Sequence, residues 1–309
     1  MPLKLRLIGG LVAILGVVLL GALWHAEPDR FGAIPRFASY EGREESHGFH
    51  TLYGPDRQVL LETAHPFSTG DLFVGDGDRR YEVVRVWGRR AHARELRPDG
   101  DGAPALATPY QAIPLGAARP LAVVYHSHSD EAYYPTDGAA FIPGKGSILE
   151  VGRILAASLE RESFVAIHDR TRHDPHDALA YLRSSRTVVA NLTYRPQVLF
   201  DVHRDAVPAK AYRTRIDGQV VARVLLVVGR QNPLRAANLR LAKRLKAVGD
   251  EIYPGLIKGV FVARGNYNQH LDPGLLLLEI GTAYQPREEA DGAAMLMGEV
   301  ISRALGPAR

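Results

Sequence analysis

From Leu121 onward the chain alternates short apolar runs of β type with stretches of helical periodicity, and the apolar runs carry no polar alternation. A strand that faces water on one side reads as an alternating pattern. Runs such as Ala122 to Tyr125, Val198 to Val202, Val220 to Val228 and Leu275 to Ile280, interrupted only by Asp201, Arg223 and Glu279, therefore imply strands covered on both faces. The intervening segments supply the covers. Ser147 to Glu160, Asp177 to Ser184, Asn232 to about Val248 and Pro286 to Leu305 read as helices, the third opened by the pair Asn232-Pro233 as N-cap and first-turn proline. Phe164 to Ile167 and Gly259 to Val262 complete the strands. The expected fold is α/β, a mostly parallel sheet flanked by helices, over residues 121–309. With 309 residues and 46% hydrophobic content there is ample material for such a core, and disorder is excluded.

Ligands of sheets of this kind collect beyond the carboxyl ends of the strands. Three of those ends carry chemistry. The first strand runs into His126-Ser127-His128-Ser129-Asp130-Glu131, another ends in Asp201-Val202-His203-Arg204-Asp205, and Leu275-Leu276-Leu277-Leu278 delivers Glu279, followed by Ile280-Gly281-Thr282. An ionised carboxylate carried into such apolar surroundings needs a partner, for which a cation or a bound water serves. The chain has no cysteine, so a metal would be held by His, Asp and Glu.

His128 and Glu131, three residues apart in a turn, can face one ion from the same side, and His203 closes the set from a neighbouring strand. Two His and one Glu with an open fourth position is a Zn²⁺ arrangement of catalytic hydrolases. Glu279 is then the general base, taking a proton from water and returning it to the leaving amine. Asp201 and Asp205, each two residues from His203, share its face while the chain stays extended and are expected to accept from imidazole N–H groups. His126 remains an alternative first ligand by the same two-residue step, although the spacing to Glu131 favours His128. His168, His173 and His176, interleaved with Asp169, Asp174 and Asp177, read as a polar loop after a strand. The run Arg264-Gly265-Asn266-Tyr267-Asn268-Gln269-His270 is rich in amide donors and leads towards Glu279, so Asn266, Asn268 and Gln269, with Arg204, are expected to bind substrate.

The amino-terminal part is different in kind. Lys4 and Arg6 precede Leu7 to Trp24, which carry no charge; as a helix they would extend ~27 Å, close to the ~30 Å hydrocarbon core. The expectation is a transmembrane anchor over 1–26 with its amino terminus cytoplasmic and the rest of the chain outside. A cleaved signal peptide shares these features, but Ala22-Leu23-Trp24 is a poor cleavage site. Residues 27–47 read as a linker, residues 48–98 as a small β-module with no chemistry assigned, and the Gly-, Ala- and Pro-rich residues 99–120 as a second linker. The formal charge of +4 comes from scattered basic residues, with no stripe that would mark a nucleic-acid partner.

These blocks resemble the stage II sporulation protein P family of cell-wall hydrolases. Val124 to Glu131 is similar to its strand-HTHxxE pattern, with Ser127 where Thr is common; Phe200 to Ala206 to its DxHRD block; and Asn266 to Gln269 through Leu278 to Gly281 to its NYNQ and LLIExG stretch. The resemblance implies a zinc-dependent N-acetylmuramoyl-L-alanine amidase acting on peptidoglycan, with peptide cross-links as a further target, anchored in the septal membrane during engulfment beside the stage II sporulation proteins D and M. It puts His128, Glu131 and His203 on the metal-binding pattern and Glu279 on the catalytic carboxylate. Two alternatives stay open: a zinc carboxypeptidase, which would use Arg204 or Arg264 for a terminal carboxylate, and a non-enzymatic wall-binding scaffold, against which the position of Glu279 argues.

Overall fold

A computed structural model describes residues 48–97, 119–177 and 179–306. The expected anchor and first linker, and nearly all of the second linker, lie outside the described residues. No helix among the described residues is long and apolar enough to cross a membrane.

The chain forms β1 (His50–Tyr53), β2 (Val59–Thr63), β3 (Leu72–Val74), β4 (Arg80–Trp87) and β5 (Arg90–Leu96), then β6 (Leu121–Tyr125), a one-turn helix α1 (Tyr134–Asp137), α2 (Ile148–Arg161), β7 (Val165–His168), α3 (Ala180–Leu192) and β8 (Val198–Asp205). There follow β9 (Arg213–Ile216), β10 (Gln219–Ala222), β11 (Val224–Gly229), α4 (Arg235–Ile252), β12 (Ile257–Ala263), β13 (Leu275–Thr282) and α5 (Arg287–Leu305). Eleven strands make one sheet in the order β2-β1-β5-β4-β3-β12-β11-β13-β8-β6-β7, and β9 with β10 forms a separate hairpin.

Within residues 121–309 the sheet is mostly parallel as expected, with four of its five pairings parallel, and the strands of the amino-terminal module make the whole sheet mixed. β13, β8, β6 and β7 run parallel, but β11 pairs antiparallel with β13, and β12 follows β11. A long apolar run does not encode direction, because strands buried on both faces look alike whichever way they run. The expected single strand over Val220 to Val228 is broken at Arg223, whose backbone N–H donates to the Tyr212 carbonyl and whose Nε–H donates to the Gly255 carbonyl at 3.0 Å. Strands β1 to β5 are continuous with the rest of the sheet, since β3 pairs antiparallel with β12.

Period-two geometry sorts the strand residues between two cores. Ala122, Val124, Phe200, Val202, Leu276, Leu278 and Ile280 pack with α2, α4 and α5 on one face. Val123, Tyr125, Leu199 and Leu275 face Val188 of α3 on the other. Counting on in steps of two puts Asp201, His203 and Glu279 on this second face, near the carboxyl ends of parallel strands. In the β13–β8 register Glu279 stands opposite His203, and the pairing then shifts before Thr282. Gly281 makes that shift: its φ of +75° is a left-handed conformation, and its N–H turns to the Arg223 carbonyl.

Candidate metal centre

The loop after β6 gathers the first two groups. His128 and Glu131 are buried, with His128 Nδ1 3.7 Å from Glu131 Oε1. His203, from β8, brings its own Nδ1 within 3.4 Å of the same oxygen. The His128 and His203 rings stand nearly perpendicular, their centroids 5.0 Å apart. Nitrogen and oxygen ligands ~2.0–2.1 Å from a tetrahedral Zn²⁺ are ~3.3–3.4 Å from one another, which the 3.4 Å spacing from Glu131 to His203 matches and the 3.7 Å spacing to His128 exceeds by a few tenths of an ångström. Glu131 Oε2 is fixed by the Arg204 backbone N–H at 3.1 Å.

The surroundings orient these groups. Asp201 Oδ1 lies 3.0 Å from His203 Nε2, and the two Asp201 oxygens also accept from the Ser127 N–H and hydroxyl at 2.8 and 2.6 Å. Holding Nε2 in this way turns Nδ1 towards Glu131, as the outer partner of a metal-ligating histidine does. Burial disfavours the imidazolium of His203, but the Asp201 and Glu131 carboxylates outweigh it and hold the pKa well above the usual histidine range. The same carboxylates favour a metal cation at that position. Burial, reinforced by the His176 and His203 imidazoles, holds His128 well below the usual range and therefore neutral, the form that ligates. Neither ring nitrogen of His128 has a hydrogen-bond partner among the described residues, although the side chain is fully buried. A cation answers that deficit.

His126 is placed elsewhere. The chain turns after Tyr125, so the two-residue step does not keep both histidines on one side; His126 Nδ1–H donates to the Val202 carbonyl at 2.9 Å, and Nε2 is 3.0 Å from His168 Nε2. His176, in the polar loop after β7 as the sequence suggests, lies against His128 with 3.8 Å between ring centroids and the ring planes tilted by 33°. Among the described residues, His128, Glu131 and His176 each offer a ligand atom within 4.8 Å of the others. The sequence carried part of that signal, a histidine-rich loop after a strand, while the placement of β7 parallel to and beside β6 comes from the structure. His176 Nδ1 is 3.1 Å from Asp130 Oδ1.

Glu279 is buried, and burial raises its pKa against the lowering effect of His65. Its Oε1 lies 2.8 Å from His65 Nε2, while Oε2 accepts no hydrogen bond from the described residues. His65 has no counterpart in the sequence reading. It comes from the turn after β2, in the module to which no chemistry was assigned.

Several expected substrate groups are engaged within the protein. Asn268 donates through Nδ2 to the Tyr181 carbonyl and to Ser184 Oγ, both at 3.0 Å; Gln269 accepts from the Gly229 N–H and donates to the Val227 carbonyl, each at 2.8 Å. Both side chains brace the loop between β12 and β13. Asn266 Oδ1 is 3.0 Å from His270 Nδ1. Asp205 accepts from the Ala64 N–H at 2.7 Å and from the Tyr212 hydroxyl at 2.8 Å, so it ties the module to β8 in place of supporting His203. Arg204 is fully buried beneath Phe141, with its guanidinium carbon 4.7 Å from the ring centre, and it donates to the Ala132 and Ala140 carbonyls at 3.1 and 2.6 Å. It clamps the loop that carries Glu131. Removing such a charged partner from a buried network costs ~3–5 kcal/mol. Arg204→Met is therefore expected to lower the thermal midpoint and weaken metal binding, whereas a substrate-binding arginine would raise KM at unchanged stability; denaturation curves and metal titration on the variant separate these.

Residues 92–302 match the model of the Stage II sporulation protein P family, and the chain belongs to that family. It is 32% identical over 198 residues to Stage II sporulation protein P of Bacillus subtilis (strain 168), a match over 58% of this chain and 49% of the relative. The match thus spans about half the length of that curated relative. Solved structures with a looser likeness include an N-acetylmuramoyl-L-alanine amidase from Clostridium difficile 630, with a TM-score of 0.39 and 14% identity over 61% of this chain and 95% of that one. Another is the amidase Ami1 from Mycobacterium smegmatis, with a TM-score of 0.39 and 15% identity over 60% and 95% of the two chains.

Proposed function

We propose that the protein is a zinc-dependent peptidoglycan hydrolase, an N-acetylmuramoyl-L-alanine amidase that separates stem peptides from glycan, with peptide cross-links as a further target. The observation that carries this reading is the convergence of His128 Nδ1 and His203 Nδ1 on Glu131 Oε1, beside a buried carboxylate, Glu279, with one oxygen unbonded among the described residues. His128, Glu131 and His203 would hold Zn²⁺, which when bound lowers the pKa of the attacking water to ~7 and polarises the scissile carbonyl. Glu279 Oε2 takes the water proton and delivers it to the departing amide nitrogen. Asp201 keeps His203 aimed at the site throughout. A carboxypeptidase reading loses one of its two arginines, since the Arg204 guanidinium is spent on backbone carbonyls.

Family membership supports a role in the wall remodelling of sporulation, with the stage II sporulation proteins D and M as partners. The apolar stretch Leu7 to Trp24 would tether the enzyme to the septal membrane with its catalytic part outside the cytoplasm. The test is digestion of purified sacculi by the zinc-loaded protein. An amidase releases glycan free of peptide and exposes new amino-terminal L-alanine; shortening of stem peptides from their carboxyl ends, with glycan still substituted, would overturn the reading.

A further inference from the structure

We propose that His65, carried by the amino-terminal β-module, is a positioning residue for the catalytic carboxylate, so that this module completes the active site. The inference rests on the reading of Glu279 as general base. His65 Nε2–H donates to Glu279 Oε1 at 2.8 Å, and both side chains are 2% exposed. A buried carboxylate with one oxygen satisfied by a directed donor has a fixed rotamer, and its other oxygen is then presented in one direction. The pairings of Glu279 with Leu225 and His203 fix its backbone but not its side-chain rotamer, which this contact sets.

The imidazole is itself held from several sides. It stands edge-on to Phe261 and Tyr267, with ring centroids 6.2 and 6.0 Å away at 68° and 86°. Its backbone N–H donates to Thr63 Oγ1 at 3.2 Å, the preceding N–H of Ala64 to Asp205 Oδ1 at 2.7 Å, and Lys258 Nζ to the Glu62 carbonyl at 2.8 Å. These bonds pin the turn after β2 onto β8 and β12, which fixes the ring relative to β13. Residue 65 lies outside the segment 92–302 that matches the family model, so the contact extends the site beyond that segment.

His65→Leu and His65→Gln test the proposal in the full chain loaded with Zn²⁺, read by kcat, KM, zinc content and thermal midpoint. His65→Leu removes the donor, and the expected result is a fall in kcat of ~10–100-fold, the usual effect of losing an outer partner of a reactive group, with KM and zinc content unchanged. His65→Gln retains an N–H donor and should recover most of the rate. In a Glu279→Gln background His65→Leu should lower the rate no further, since the two residues act as a unit. Unaltered kcat in His65→Leu, or a His65→Gln protein no faster than His65→Leu, would overturn the proposal. Selective ¹⁵N-histidine labelling gives a readout that needs no turnover: the His65 imidazole resonance should move on Glu279→Gln, and a stationary resonance would overturn the contact itself. Absence of sacculus hydrolysis by the wild-type protein would sink the proposed function alone, because the resonance test still decides whether His65 holds Glu279.

Discussion

Glu279→Gln is expected to lower sacculus hydrolysis by ~10²–10⁴-fold, the usual contribution of a positioned acid–base group, while zinc content and wall binding stay at wild-type levels. Glutamine keeps nearly the same volume and can still accept from His65 through its carbonyl oxygen, so the fold around β13 is undisturbed. What it cannot do is take up a proton. A carboxylate serving only to balance buried charge gives the opposite pattern, with a changed thermal midpoint and most of the specific activity kept. Zinc stoichiometry, thermal midpoint and rate measured on one preparation distinguish the two.

Removal of the metal should have an effect at least as large. Chelation is expected to abolish activity, and stoichiometric Zn²⁺ to restore it, because the Arg204 guanidinium, 3.8 Å from Glu131 Oε1, is taken up by backbone carbonyls and cannot stand in as the electrophile. His128→Ala should lose metal and activity together, by more than the ~10²-fold that marks the upper range for an outer-shell partner. It should not be rescued by raising the pH, since alanine offers no ring nitrogen to deprotonate and ligate. Zinc content and rate followed across a chelator titration check both statements. Activity that survives complete removal of zinc would exclude the metal from the reaction.

Much of the site was legible because strands obey a period of two and strand ends collect ligands. Asp201 and His203 are two residues apart in β8, and that spacing alone puts them on one face, as the 3.0 Å contact between them bears out. The same rule failed for His126 and His128, where the chain leaves the strand after Tyr125 and turns. Arg204, Asn268 and Gln269 were expected to meet substrate, yet each is consumed by a backbone carbonyl or N–H nearby, a need visible only once the neighbouring loop is in place. The direction of β11 and β12 was hidden for a related reason: Leu225 to Val228 and Val260 to Val262 are buried on both faces, and burial pattern is blind to strand polarity. His65 was the least accessible of all. Its contact with Glu279 spans 214 positions of sequence and depends on β3 joining β12, a long-range pairing with no local signature.

His176 offers a ligand atom within 4.8 Å of one on each of His128 and Glu131, His203 brings Nδ1 within 3.4 Å of Glu131, and the account stands on His203 as the third ligand. The zinc content of His203→Ala, measured beside His176→Ala in proteins shown to be folded, tests this most directly. The account predicts little or no zinc in His203→Ala and close to one zinc per chain in His176→Ala; one zinc per chain in His203→Ala, with loss in His176→Ala, would contradict it.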